Sequence, residues 1–397
     1  MHNRKYESKK VVLSPRQPPP YSSKLPKIPY YCDSELDNMK TSSTRRTVSY
    51  LIKVIFRQIE RYTCLKFERN KTDQVKNSIG INFLLSNNSN NTVSLSNSSN
   101  CPTNVTLTNG TYMNTTLLSF YIGIALDIIP EVRRPDRDID VNVTMDNVGE
   151  EFVQYYNKTN SSYITYLNDT EFDFRSPMFL GPDFGSKNNK STYEVLLYKE
   201  DQYPFGRGRV FRHNFYKYIF YYYCNGSTIQ NKCKYGGYSY PSNKCKCPEH
   251  LSGNFCTEFK NDSVIFTNYT KPVFLKANFT RKHYSVNLTN TIFYLNITSE
   301  HGYNVNATIK KITFSKTNCS SFGSSLEVLI RKDKGAAGIY LCRNSTNSKL
   351  PSLSNEVFFI LDAKNENIFF NVTYRAVSRN KTRGKFEKAL KNQTKLS

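Results

Sequence analysis

LLSFYIGIALDIIPEVRRPDRD, residues 117–138, decides how the rest of the chain is read. From Leu117 to Pro130 it is apolar almost without a break. From Glu131 onward it is polar and arginine-rich, and it ends in Arg-Pro-Asp-Arg-Asp. A helix that is apolar on both faces is one buried on all sides, so 117–130 is expected as a buried helix handing over to a polar turn. It is too short to span a bilayer, and no run of about 18 apolar residues occurs anywhere in the chain.

Around this stretch lies a chain of 397 residues, enough for two or three domains. About two dozen Asn-X-Ser/Thr sequons occur, some three times the roughly eight that composition alone would place. Ten cysteines, many at short spacings, join them in pointing to the secretory pathway, where disulfides persist. The N-terminal MHNRKYESKKVVLSPRQPPPY has no apolar core of signal-peptide length. Either the start is mis-assigned or the protein is not exported, and the sequons and cysteines favour the first. The net charge of +23 suggests anionic partners. It is spread along the chain and densest in the tails, however, and no basic helix with interleaved aromatics stands out, so nucleic acid is not expected as a partner.

Residues 1–27 are basic and proline-containing, and are expected to be disordered. Ile28-Pro29-Tyr30-Tyr31 is a strand candidate. Val48, Leu51, Ile52, Ile55 and Ile59 recur at three- and four-residue steps, describing an amphipathic helix that Ser43 or Thr44 can cap. Residues 85–116 form a polar, sequon-dense loop region, 172–185 a turn-rich segment, and 224–256 hold five cysteines. From about 260 to 377, nine short strand candidates alternate with turn residues, the pattern of an all-β sandwich. The end of the chain, from 378 to 397, is a basic tail.

A metzincin protease holds zinc on H-E-x-x-H-x-x-G-x-x-H, followed by a Met-turn. Two His at i and i+4 share a helix face, the Glu between them acts as general base, and the Gly lets the chain leave the helix before the third His. The 117–138 stretch resembles the astacin family of zinc endopeptidases, whose motif continues to RPDRD. Ile122, Gly123, Ala125, Leu126, Glu131 and Arg134-Pro135-Asp136-Arg137-Asp138 match in register. The resemblance puts Phe120, Ile124 and Pro130 at the three His positions, Tyr121 at the general base and Asp127 at the Gly. Ser176-Pro177-Met178-Phe179-Leu180 is similar to the Met-turn, with Met178 kept and Leu180 at the position of the family's Tyr. Zinc, expected for the family, therefore has no ligands here and no cofactor is expected. Phe120, Ile124 and Leu180 are expected to fill the former metal cavity. The five His, at 2, 213, 250, 283 and 301, form no i,i+4 pair and no cluster with Cys.

The same resemblance sets the domain at 28–224, with TMDNV (144–148) as the strand after RPDRD and FYKYIFYYYC (215–224) as the closing helix. It implies a Cys64–Cys224 disulfide. The family's second pair brackets a hairpin that shares the substrate-aligning edge strand; its first cysteine and its GG pair are absent here, which leaves Cys101 to pair with Cys32. Residues 225–258 look like an EGF-like module with Cys233–Cys245 and Cys247–Cys256. Residues 260–377 resemble a CUB domain through Cys319, Leu326-Glu327-Val328, Gly338, Cys342, Asn355 and the closing FFNVTY, which implies Cys319–Cys342. Ser324-Ser325 stands where calcium-binding members have Asp-Tyr, so calcium is not expected.

The expected fold class is thus α+β: an astacin-like domain, a small disulfide-rich EGF-like module and an all-β CUB sandwich. The expected function is that of a secreted pseudoprotease, a scaffold or competitor engaging extracellular proteins through its EGF-like and CUB modules. The alternative, by family analogy, is an active zinc metalloendopeptidase. Glycans are expected at Asn70, Asn97, Asn104, Asn114, Asn157, Asn225, Asn268, Asn287, Asn296 and Asn344.

Overall fold

The computed structural model describes residues 20–379 except 22–24, 43–44, 89, 161–168, 198–210, 225–230, 241–243, 261–270, 317–318, 320–322 and 364–365. The basic tail beyond 379, most of the N-terminal segment, His2, the sequon residues Asn225 and Asn268, the capping candidates Ser43 and Thr44 and the first sandwich strand candidate lie outside the described residues. Two compact units result. One holds the chain up to Glu194, the segment ending at Cys233 and the hairpin Tyr238–Lys246; the other holds the short stretch that follows Glu194, Lys234–Gly237 and everything from Cys247 onward.

The first unit is built on a five-stranded sheet: Ile28–Cys32 (β1), Phe67–Asn70 (β2), Ile81–Leu85 (β3), Thr92–Ser94 (β4) and Thr103–Leu107 (β5), in the order β2-β1-β3-β5-β4. All pairs are parallel except the edge strand β4, which runs antiparallel to β5. Helix α1, Val48–Tyr62, buries Val48, Ile52, Ile55, Phe56 and Ile59. The Phe56 ring meets one ring from each of three strands, Tyr30 at 4.8 Å, Phe67 at 4.0 Å and Phe83 at 6.0 Å. Its cap is Thr47, whose hydroxyl accepts from the Tyr50 amide at 3.4 Å.

Two short helices follow, Asn109–Met113 (α2) and Thr115–Ala125 (α3). The strand after RPDRD is Val141–Val143 (β6). The residues expected as that strand instead form a 3-10 turn at Met145–Asn147, so the extended segment lies one turn earlier. After Tyr193–Val195 (β7), helix α4, His213–Ile219, runs into a π-helical turn, Phe220–Cys224, which delivers Cys224 to Cys64 with their Cα atoms 5.5 Å apart. Strands Tyr238–Tyr240 (β8) and Lys244–Lys246 (β9) form a hairpin beside the Cys233–Cys245 disulfide.

Two further expectations fail in this unit. Cys32 and Cys101 do not pair; both are free, one buried and one exposed. Cys32 lies opposite Phe83, and Phe83 opposite Val105, four residues beyond Cys101. Two strand spacings sideways and four residues along leave the two cysteines roughly 16 Å apart, far beyond the ~7 Å Cα reach of a disulfide. Nor is the N-terminal segment disordered throughout. The Tyr21 side chain is wholly buried, its hydroxyl donating to Thr103 Oγ1 at 2.7 Å and to the Ala125 carbonyl at 2.8 Å.

The second unit opens with the hairpin Leu251–Ser252 (β10) and Glu258–Phe259 (β11) beside the Cys247–Cys256 disulfide. Two sheets then face each other. Val273–Lys276 (β12), Ile292–Thr298 (β14), Glu356–Asp362 (β19), Ser325–Leu329 (β16) and Ile339–Leu341 (β17) make one, in that order. Lys282–Thr289 (β13), Asn367–Ser378 (β20), Tyr303–Phe314 (β15) and Ser345–Lys349 (β18) make the other. Alternate residues of both sheets form one apolar core that includes Leu295, Ile309, Phe359 and Phe370. Cys319–Cys342 closes the loop before β16 onto the end of β17. Gly338 lets β17 approach β16, since a Cβ there would lie 2.7 Å from the Val328 carbonyl carbon. Burial of Asn296 speaks against a glycan at this expected acceptor. The residue lies within β14, and its Nδ2 donates to Glu356 Oε1 at 2.7 Å. Asn70, Asn97, Asn114, Asn157, Asn287 and Asn344 are exposed, and Asn104 is half-buried.

Candidate functional site

Helix α3 carries the motif. Asn114 starts it, its Oδ1 accepting from the amides of Thr116 at 3.0 Å and Leu117 at 3.2 Å, an Asn N-cap. The helix stops at Ala125, earlier than the apolar run, because Asp127 takes φ = 55°. The Ile128 amide then bonds back to the Gly123 carbonyl at 2.9 Å and the Asp127 amide to the Ile124 carbonyl at 2.8 Å, which is the Schellman arrangement. Asp127 thus occupies the left-handed position without glycine's freedom. Its carboxylate is bound by the Tyr222 hydroxyl at 2.5 Å, while burial raises its pKa. Two further phenols, Tyr21 and Tyr223, donate to the terminal carbonyls of Ala125 and Leu126, groups a helix end otherwise leaves unpaired.

Met178 lies directly against Gly123. A Cβ on this glycine would run into the Met178 sulfur and come within 2.9 Å of its methyl. The polar half of the motif straps the Met-turn there. The Glu131 amide donates to the Met178 carbonyl at 2.9 Å, and Glu131 Oε2 accepts from the Asp173 amide at 3.4 Å. Arg134, fully buried, grips Asp136 with Nε and Nη2 at 2.9 and 2.8 Å, donates from Nη2 to the Thr170 carbonyl at 2.9 Å and from Nη1 to the Tyr218 hydroxyl. It also stands 3.7 Å from Glu131. Burial pushes the Glu131 carboxyl up to about 8, against the lowering pull of Arg134. Arg137 donates to the carbonyls of Val132 and Tyr156, and Asp138 pairs with Lys158. The charges of RPDRD therefore tie this segment to Thr170, Tyr218, Tyr156 and Lys158.

Around Phe120 the side chains are hydrocarbon and phenol. Phe120 is 1 % exposed, and its ring meets Tyr121 at 5.3 Å, Phe184 at 5.4 Å and Tyr155 at 5.5 Å. Phe152 packs on Phe184 at 5.1 Å, and Gly185, at φ = 66°, leaves room for the Phe152 ring. Tyr121 is equally buried. Its phenol is raised by desolvation and shares hydrogen bonds with Tyr155 and Asn91. Pro130, Met178 and Leu180 are buried, Ile124 half-buried, and the Leu180 carbonyl accepts from the Tyr193 hydroxyl at 2.6 Å. Zinc is held by N, O or S donors. The side chains of Phe120, Ile124, Pro130 and Leu180 offer none a zinc ion could use, so these residues do not fit the ion. Of the described histidines, His213 lies against the Tyr238 ring, His250 against Phe358, and His283 and His301 are exposed. Among the described residues no three His, Cys, Asp or Glu side chains come together as a metal-holding group.

The structure joins to the site several residues that motif reading passed over: Phe152, Tyr155, Phe184, Asp173 and Tyr218. Their only sequence signal is aromatic or acidic identity in turn-rich segments.

Comparison with known proteins places the first unit in a family. Residues 23–209 match the family model for the astacin peptidases. Zinc metalloproteinase nas-36 of Brugia malayi is 30 % identical over 140 residues, covering 34 % of this chain and 24 % of that protein, so the chain spans about a quarter of that relative's length. Among solved structures, high choriolytic enzyme 1, a hatching-enzyme zinc protease of the medaka Oryzias latipes, is 20 % identical with a TM-score of 0.37, over 48 % of this chain and 86 % of that one. The CUB1-EGF-CUB2 region of human MASP-1/3 is 14 % identical with a TM-score of 0.22, over 36 % and 49 %. The first unit is an α+β domain of the metzincin kind. The chain carries an astacin-family domain over residues 23–209.

Proposed function

We propose that this astacin domain is non-catalytic and that the protein binds rather than cuts. The observation that carries the reading is Phe120, buried in a knot of aromatic rings at the place of the first metal ligand. Tyr121 supplies a phenol with a raised pKa where a carboxylate base would be needed, and Ile124 and Pro130 supply no donor. Hydrolysis without ligands or base would lose many orders of magnitude. The four disulfides and the excess of sequons support a secreted glycoprotein. Its working surfaces are then the EGF-like segment and the CUB-like sandwich, engaging extracellular proteins as scaffold or competitor. The test is casein and fluorogenic-peptide hydrolysis by the full chain from a eukaryotic host, with added zinc and an active astacin as control. No turnover above buffer is expected; chelator-sensitive cleavage would return the chain to the active zinc endopeptidases.

A further inference from the structure

Helix α1 carries a feature that neither the motif nor the proposed function uses. Arg46 just ahead of it, and Tyr50, Lys53, Arg57 and Arg61 on it, follow one another at steps of four, three, four and four residues and are all exposed. Such steps place side chains in one row. The row from Arg46 to Arg61 is about 22 Å long at the helical rise. The Arg46 guanidinium lies 5.5 Å from the Tyr50 ring centroid, and Tyr50 is 46 % exposed. At the C-terminal end two more ammonium groups join the row. Lys66 donates to the Glu60 carbonyl at 3.3 Å, and Lys246, from the hairpin of the same unit, to the Arg61 carbonyl at 3.1 Å. Burial and the neighbouring Arg61 lower the Lys246 pKa, as crowded cations do.

Beyond Arg46, carboxylates of the described residues leave this charge unbalanced. The one acid on the helix, Glu60, is turned away, its Oε1 accepting from the Phe67 amide at 2.8 Å. None of the ion pairs among the described residues involves Lys53, Arg57, Arg61, Lys66 or Lys246. Like charges at i and i+4 work against a helix, so the row costs the helix stability. No sequon falls between Arg46 and Lys66, the first in the chain being Asn70.

We propose that the row Arg46–Tyr50–Lys53–Arg57–Arg61, extended by Lys66 and Lys246, binds a linear sulfated polysaccharide. Single-file cations along one helix suit a linear polyanion of closely spaced charges. The Tyr50 ring offers a flat surface to the apolar face of a sugar. The choice of polyanion rests on the secreted reading, since sulfated chains are the polyanions met outside the cell.

The test uses the full glycosylated chain and immobilised heparin. Lys53→Glu with Arg57→Glu is compared with Arg281→Glu plus Lys282→Glu, an equal charge change at exposed positions of the second unit. The row variant is expected to lose about thirtyfold or more in affinity at 0.15 M salt, and about two from the slope of log K against log salt. The control is expected to lose less than threefold. Lys53→Gln with Arg57→Gln, checked for an unchanged thermal transition, guards against misfolding and should lose about tenfold. Equal losses in row and control variants would make the binding one of net charge and overturn the assignment. Equal, row-dependent binding of phosphatidylserine vesicles or single-stranded RNA would overturn the sulfated chain as occupant. Glycan occupancy of the same sample judges the secreted reading separately: an unglycosylated chain from the secretory pathway would sink that reading whatever heparin does.

Discussion

Replacing Phe120 by alanine measures directly whether the position that the astacin resemblance gives to the first metal ligand is packed or open. Phe120 is 1 % exposed and its ring touches three others at 5.3 to 5.5 Å. A Phe→Ala change at so enclosed a site costs about 3–5 kcal/mol, from lost transfer energy and the cavity left behind. Aromatic neighbours add about 0.5–1.5 kcal/mol per ring pair beyond area, which places the expectation in the upper half of that range. For a unit of this size each kcal/mol moves the transition by about 2–4 °C, so Tm should fall by about 8–20 °C. The assay is urea and thermal unfolding of the full chain, followed through the first unit's transition. Phe120→Leu, which keeps most of the volume, should lose much less. A loss below about 1 kcal/mol for the alanine variant would mean that the ring lines an open cavity, and the packing argument would be wrong.

Gly123→Ala gains about 1 kcal/mol in helix propensity but drives a methyl into Met178, and overpacking should leave a net loss of about 1–2 kcal/mol by urea denaturation; a stabilised variant would place the Met178 side chain elsewhere. Glu131 keeps in the folded state a proton that the unfolded chain releases between its ordinary 4.5 and about 8, so its contribution to stability falls as pH rises through that window. Glu131→Gln should therefore flatten the decline in urea midpoint from pH 5 to pH 8, and parallel profiles for the two proteins would refute the assignment. Thiol labelling should find Cys101 at once and Cys32 only on unfolding, since burial pushes the Cys32 thiol up to about 12; no thiol after unfolding would mean that the two are paired.

The helix at 115–125 and the turn at Met178 were legible because their spacing is fixed by backbone geometry that does not depend on the side chains at 120 and 124. Gly123 must admit Met178, a left-handed residue must follow Leu126, and Glu131 must reach the Met-turn, whatever stands at 120 and 124. The sandwich strands were legible by alternation, except β18. Its sequence Ser345-Thr-Asn-Ser-Lys349 has no apolar face, and it is a strand because β15 offers it an edge. Pairing Cys32 with Cys101 failed because elimination ignores register, and only the sheet order shows the intervening strand. Asn296 reads as a glycan acceptor until both faces of β14 prove buried. The cations of α1 are scattered along the sequence, and become a row only once Thr47 fixes where the helix begins.

The most direct measurement is zinc per chain, by elemental analysis of the purified glycosylated protein beside an active astacin. The proposed non-catalytic site predicts a value near zero for this chain and near one for the control. A value near one for both would mean that the chain holds the ion through donors other than residues 120, 124 and 130, and would contradict the account.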